Sequence, residues 1–84
     1  MGSNIWVTIL YFAQVREVTK VKRETLELTK NTSIMDLLSL IHIRHPKLRT
    51  VGDFNTSVNH KLVMADAILR DKDEVALLPP ISGG

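Results

Sequence analysis

Cysteine is absent from the 84-residue chain, so neither a disulfide framework nor a thiolate zinc site can hold the fold together, and sulfur cannot be carried as a persulfide. Glycine is sparse: Gly2 and Gly52 are isolated, and the other two glycines are the last two residues, which leaves no glycine-rich phosphate loop. Aromatic side chains number four and lie mostly in the first strand-like segment. Charge is nearly balanced at +2, with basic residues gathered at Arg16, Lys20, Lys22 and Arg23 and again at Arg44, Lys47 and Arg49. A nucleic-acid surface needs a denser basic face with rings for stacking, so a solvated face explains these cations and no nucleic-acid partner is expected. Long apolar runs are missing too. Val75 to Ile81 and Ile34 to Ile43 are too short or interrupted to span a bilayer, and no charged segment precedes an apolar one as in a signal peptide. A soluble, cytoplasmic chain with no membrane partner is the expectation.

Catalytic groupings are equally scarce. No Ser or Lys stands in a recognisable pairing with a base, which argues against an independent active site. His42 and His45 lie three apart on a helical segment and His60 could join them, but a metal centre needs more ligands at defined spacing. Histidines near a helix C-terminus, where positive charge is favoured, account for the pair without a metal.

What remains is the pattern of a small α+β domain covering residues 1–84, with a tail at 79–84. Ile5, Val7, Ile9 and Tyr11 alternate with Trp6, Thr8, Leu10 and Phe12, which is strand periodicity with two apolar faces. Glu24 to Thr29 repeats the alternation, with Leu26 and Leu28 on the apolar side, and the two strands are expected to form an opening hairpin. Ser33 offers an N-cap oxygen, Asp36 sits in the first turn, and Ile34, Leu37, Leu38 and Ile41 recur at helical spacing until Pro46 stops the run. Met35, Leu40 and Ile43 fall off that stripe, so either the Lys47 to Asn55 loop buries them or another protein does. Short strands follow at Ser57 to Asn59 and Leu62 to Val63, then Ile68 and Leu69, a charged turn Arg70 to Glu74, and a last strand Val75 to Leu78. Strand, strand, helix and three more strands suit a mixed sheet of four to five strands packed on one main helix, the β-grasp arrangement. At this length only about 60 to 65% of the unfolded surface is buried, so the core is compact.

The end of the chain stands apart. In Leu78, Pro79, Pro80, Ile81, Ser82, Gly83 and Gly84, two prolines end the strand and hold the backbone extended, because each fixes φ and lacks an N–H donor. Gly83 and Gly84 have no side chain to block a narrow channel, which suits delivery of a terminal carboxylate into a partner's active site. A carboxylate with a pKa of about 3.5 is ionised at neutral pH and resists nucleophiles, so it needs activation, for example as an acyl-adenylate, before it can accept sulfur. A frayed end is the competing explanation, but frayed ends seldom follow a double proline directly off a core strand.

Four segments, in this order and spacing, carry a resemblance over nearly the whole chain: Leu10 to Glu17 (LYFAQVRE), Val58 to Val63 (VNHKLV), Asp71 to Leu78 (DKDEVALL) and Pro79 to Gly84 (PPISGG). Together they resemble the small subunits of molybdopterin synthase, a family within the ubiquitin-like sulfur carriers. The thiamine-pathway carrier shares the terminal glycines but generally lacks the FAQVRE-like segment and the double proline. The resemblance implies that an adenylating enzyme related to ubiquitin activators uses ATP to convert Gly84 to an acyl-adenylate and that a sulfur donor makes it a thiocarboxylate. No permanent cofactor is implied. The tail, including Gly83, would enter the synthase large subunit and give sulfur to cyclic pyranopterin monophosphate, within an assembly of two small and two large subunits. Family precedent places Phe12, Arg16, Leu62 and Leu78 in the docking face, beside Pro79, Pro80, Ile81 and Ser82, although Phe12, Leu62 and Leu78 could equally be core. Two departures stand out: Lys72 and His60 occupy turn positions where the family commonly has Gly, and a non-Gly residue held at positive φ costs on the order of 1 kcal/mol. Other uses of the same ending are a ubiquitin-like modifier forming isopeptide bonds and a passive β-grasp binding module with an accidental tail.

Overall fold

The computed structural model describes residues 4–50 and 54–78. Its elements are β1 (Asn4–Tyr11), α1 (Ala13–Thr19), β2 (Arg23–Thr29), α2 (Ile34–Arg44), a 3-10 turn (Pro46–Thr50), β3 (Asn55–Val58), β4 (Lys61–Leu62) and β5 (Glu74–Leu78). The five strands form one sheet in the order β2-β1-β5-β3-β4. Only the central pair, β1 and β5, is parallel; β1 with β2, β5 with β3, and β3 with β4 are antiparallel. This is the expected mixed sheet on one main helix.

Alternation in β1 sets the two faces. Ile5, Val7, Ile9 and Tyr11 are buried, and they meet Leu26 and Leu28 of β2, Val75 and Leu77 of β5, and Ile34, Leu37 and Ile41 of α2 in a single core. Each such aliphatic side chain withdrawn from water stabilises the fold by roughly 1.5–3 kcal/mol. The helix starts where its sequence says: Ser33 Oγ accepts from the Asp36 N–H at 3.1 Å. The segment after β4 satisfies two further first-turn donors, since Ile34 N–H donates to Ala67 O and Met35 N–H to Ala65 O, both at 2.9 Å. Ile68, expected near a strand, makes one isolated bridge with Ser33.

Two expectations change. The opening strands do pair as expected, but the connection between them contains a short helix that the sequence reading did not foresee, and β1 ends at Tyr11 so that Phe12 becomes the residue preceding α1. Val15 and Thr19 are buried on one side of that helix, with Val18 packed against the same core. With seven residues, no side-chain N-cap and no acidic residue in its first turn, α1 carries few sequence signals, and tertiary packing holds it. The second change concerns α2. Met35 and Ile43 are 59% and 75% exposed, and Leu40 is exposed too, so the following loop does not bury them.

A polar cluster ties β1, β2 and the end of α2 together. Glu24 Oε1 accepts from Arg44 Nη2 at 2.8 Å, and its Oε2 accepts from the Tyr11 hydroxyl and lies 2.8 Å from His45 Nε2. An ionised carboxylate only accepts, so the His45 nitrogen facing it carries the proton. Burial pushes the Glu24 carboxyl up, but the hydrogen bonds from Tyr11, His45 and Arg44 outweigh it and hold Glu24 below the ordinary carboxylate range. Burial, with the adjacent Glu24 carboxylate, pushes the Tyr11 hydroxyl well above its usual value.

Both suspect turns adopt the left-handed backbone. His60 has φ 74° and Lys72 has φ 73°, with Asn59 at φ 52° beside His60 in the β3–β4 turn. Asn59 and Asp73 lock these turns together: Asn59 Nδ2 donates to Asp73 Oδ1 at 2.9 Å, and Glu74 N–H donates to Asn59 Oδ1 at 3.0 Å.

Replacing His60 with Gly is expected to raise stability by about 1 kcal/mol or less, read as a higher urea midpoint, because the exposed ring loses little and the strained φ is relieved. Glu24→Gln is expected to cost about 1–3 kcal/mol at neutral pH. The sign with pH follows from the depressed folded value: the Glu24 contribution is complete above the ordinary glutamate range and is lost as pH falls through the lower folded value. Urea midpoints of the two proteins should therefore converge on acidification, and a gap unchanged by acid would contradict the cluster's role.

Candidate functional site

The sheet face opposite α2 carries a cross-strand row. Register places Arg23 of β2 beside Leu10 of β1, Leu10 beside Ala76 of β5, Ala76 beside Ser57 of β3, and Ser57 beside Leu62 of β4. Because neighbouring strands put paired residues on one face, these five side chains share it. The two smallest, Ala76 and Ser57, lie on the central strands and leave a depression between larger neighbours. Its lining is Leu10, Phe12, Ser57, His60, Leu62, Glu74, Ala76 and Leu78, and its volume is about 360 Å³.

The two ends of this groove differ in chemistry. Parallel pairing of β1 with β5 sets Tyr11 beside Leu77, so the next residues, Phe12 and Leu78, fall at the same end and make that wall apolar. At the other end Glu74 faces His60, whose Nε2 is 3.8 Å from Glu74 Oε1. Phe12 is 41% exposed and Leu62 61%, while Leu78 is half-buried. The alternative that these three are ordinary core is thereby settled for Phe12 and Leu62: they are surface side chains around a shared depression. Sequence reasoning missed Leu10, Ser57 and Ala76 as the floor, and the signal that could have found them was the pairing register, which one chain's periodicity does not contain.

Arg16 is not part of the groove. It lies exposed on α1 and lines a separate basin with Ala13, Glu17, Lys20, Val21 and Lys22. Pro79, Pro80, Ile81, Ser82, Gly83 and Gly84 lie outside the described residues; the chain continues into them from Leu78, at the apolar end of the groove.

The histidines are dispersed. His42 Nδ1–H donates to Leu38 O at 2.8 Å and its ring stacks on Phe54 at 6.1 Å, His45 serves Glu24 and meets Tyr11 edge-on at 5.7 Å, and His60 lies on the sheet. Among the described residues no three His, Asp or Glu side chains group as metal ligands. No helix among the described residues is long and apolar enough to cross a membrane.

Comparison with known proteins finds sulfur carrier subunits and, among solved structures, also a small archaeal modifier protein from Haloferax volcanii, with a TM-score of 0.80 at 26% identity over 94% of this chain and 99% of its own. The model of the ThiS family matches residues 9–84. A molybdopterin synthase sulfur carrier subunit from Chlamydomonas reinhardtii is 38% identical over 81 residues, spanning 93% of this chain and 98% of that protein. Among solved structures, a Pyrococcus furiosus protein assigned as molybdopterin converting factor subunit 1 superposes with a TM-score of 0.84 at 31% identity, over 92% of this chain and 99% of its own. A Helicobacter pylori complex of subunits 1 and 2 of molybdopterin-converting factor matches with a TM-score of 0.68 at 21% identity, over 95% of this chain and 100% of the matched one, a likeness of fold.

Groove and core positions are expected to respond oppositely to truncation. Leu62→Ser should change stability by no more than about 0.5 kcal/mol, whereas Leu77→Ala, in the core, should cost about 2–5 kcal/mol. Urea denaturation of both variants checks this, and a Leu62→Ser loss comparable to that of Leu77→Ala would place Leu62 in the core instead.

Proposed function

The chain belongs to the ThiS family, and on that premise we propose that it is a molybdopterin synthase sulfur carrier subunit whose reactive group is the carboxylate of Gly84. The observation that carries the reading is the apolar groove ending at Leu78: the sequence that follows it is the proline-braced, glycine-tipped PPISGG segment. The name of the algal relative, 38% identical over almost the full length, supports it.

The chemistry assigns little to this chain's side chains. A carboxylate oxygen of Gly84 attacks the α-phosphorus of ATP on an activating enzyme, pyrophosphate leaves, and the resulting acyl-adenylate is electrophilic. Sulfide-level sulfur delivered by a donor then attacks the acyl carbon and AMP departs, which leaves a thiocarboxylate. Attack of the thiocarboxylate sulfur on a pterin precursor, cyclic pyranopterin monophosphate, followed by hydrolysis of the acyl carbon–sulfur bond by water, leaves the sulfur on the pterin and returns the carboxylate. Pro79 and Pro80 each fix φ and offer no N–H donor, and Gly83 and Gly84 have no Cβ to clash in a narrow channel.

Docking to a large subunit uses the sheet face. Phe12, Leu62 and Leu78 supply apolar anchors around the floor of Ala76 and Ser57, the arrangement in which a few buried contacts carry most of the binding free energy. The two-subunit complex with the same fold supports a large subunit as partner.

The recombinant chain, incubated with a cognate activating enzyme, ATP and a sulfur source, is expected to gain the mass of one oxygen-to-sulfur exchange. Deleting Gly84 should abolish the gain while leaving the circular dichroism spectrum intact. An unchanged mass with a demonstrably active enzyme would overturn the proposal, and lysine-linked adducts in cells would redirect it toward a protein modifier.

A further inference from the structure

A charged surface adjoins the groove. Arg16 on α1, Lys20 and Lys22 between α1 and β2, and Arg23 at the start of β2 are all exposed. Arg16, Lys20 and Lys22 line one basin of about 500 Å³, in which Glu17 is the one carboxylate. Glu24, the next acid along the chain, is taken up by Tyr11, Arg44 and His45. Among the described residues, none of the four cations forms an ion pair.

The backbone beneath these side chains is anchored. Lys20 ends α1 in the left-handed conformation at φ 64°, and its N–H donates to Arg16 O at 2.9 Å. Lys22 O accepts from the Tyr11 N–H, also at 2.9 Å. Thr19 Oγ1 closes the intervening turn through the Val21 N–H at 3.3 Å. The backbone from which these cations project is thus tied to α1 and the sheet. The basin shares no lining residue with the groove but adjoins it: Arg23 stands in register beside Leu10, which lines the groove, and α1, which ends at the basin, begins directly after Phe12, which walls the groove.

The geometry points to a two-part docking surface, in which the apolar groove anchors the partner protein and a rim of Lys20, Lys22 and Arg23 recognises acidic side chains on that same partner. This deepens the proposed function and rests on its assignment of the groove to the large subunit. Arg16, Lys20 and Lys22 share one basin with a single carboxylate, Glu17, so positive charge is in excess there in the free chain, and acidic groups laid over it relieve the repulsion. Aliphatic side chains dominate the adjoining groove and offer no run of aromatic faces for base stacking, which favours a protein over a nucleic acid. Exposed charges are screened beyond about 8 Å at physiological salt, so the rim acts chiefly on the encounter rate and on the choice of partner.

Stopped-flow association of the intact chain with its cognate large subunit, followed across ionic strength, tests the rim. The triple variant Lys20→Glu, Lys22→Glu, Arg23→Glu is expected to slow association about tenfold or more at low salt, with dissociation nearly unchanged and the salt dependence flattened or inverted. The neutral triple Lys20→Gln, Lys22→Gln, Arg23→Gln should fall between, which separates loss of attraction from new repulsion. Leu62→Asp should show the other signature, faster dissociation with little change in the salt slope. Wild-type chain that associates normally while the triple variant keeps its rate and salt slope overturns the rim and leaves the groove standing. A wild-type chain that does not associate at all overturns the docking assignment and the rim with it. Binding of a fluorescent single-stranded oligonucleotide at physiological salt, lost in the triple variant, would overturn the protein-partner assignment in favour of nucleic acid.

Discussion

Parallel pairing of β1 with β5 is the constraint on which the remaining geometry depends. It brings the first and last strands of the sequence to the centre of the sheet and points them the same way, so the ends of both lie together. Val75 and Leu77 are thereby set beside Ile9 and Tyr11 in the core, and Leu78 is set beside the residue that follows Tyr11. A parallel neighbour cannot be reached through a tight turn and needs a long crossover, which the segment from α1 to β4 supplies. Had the last strand paired antiparallel, its end would lie at the opposite edge, with Phe12 far from the start of the tail.

One helical layer against five strands leaves a second consequence. The sheet has an inner face that α2 seals and an outer face that nothing in the described residues covers. On that outer face Ala76 and Ser57 are too small to fill the space between Leu10, Phe12, Leu62 and Leu78, and the depression results directly from side-chain volume. On the inner face Ile, Leu, Val and Tyr side chains pack with α2 in the core, and Tyr11 reaches Glu24 with its hydroxyl. Among the described residues no buried side-chain nitrogen or oxygen lacks a partner. A core with its polar groups satisfied and an outer face left open suit the proposed docking of a partner.

Much of this was legible in the residues. Strand alternation in β1 and β2, the Ser33 cap and the Ile34, Leu37, Ile41 stripe are local signals, and each appears where expected. The turns at His60 and Lys72 were flagged by missing glycines, and both backbones are left-handed. What stayed hidden was non-local. The α1 segment is too short to show a period and is held by Val15 and Thr19 against the core, and the groove floor depends on which residues of three separate strands become neighbours. Arg16, grouped with the docking residues by resemblance, lines the adjoining basic basin and not the groove itself.

The central claim is that the outer sheet face, and not the exposed side of α2, receives the partner. Chemical-shift mapping of the labelled chain titrated with its large subunit tests this most directly. The account predicts perturbations concentrated at Leu10, Phe12, Ser57, Leu62, Ala76 and Leu78. Perturbations confined to Met35, Ser39 and Ile43, with the outer sheet face silent, would contradict it.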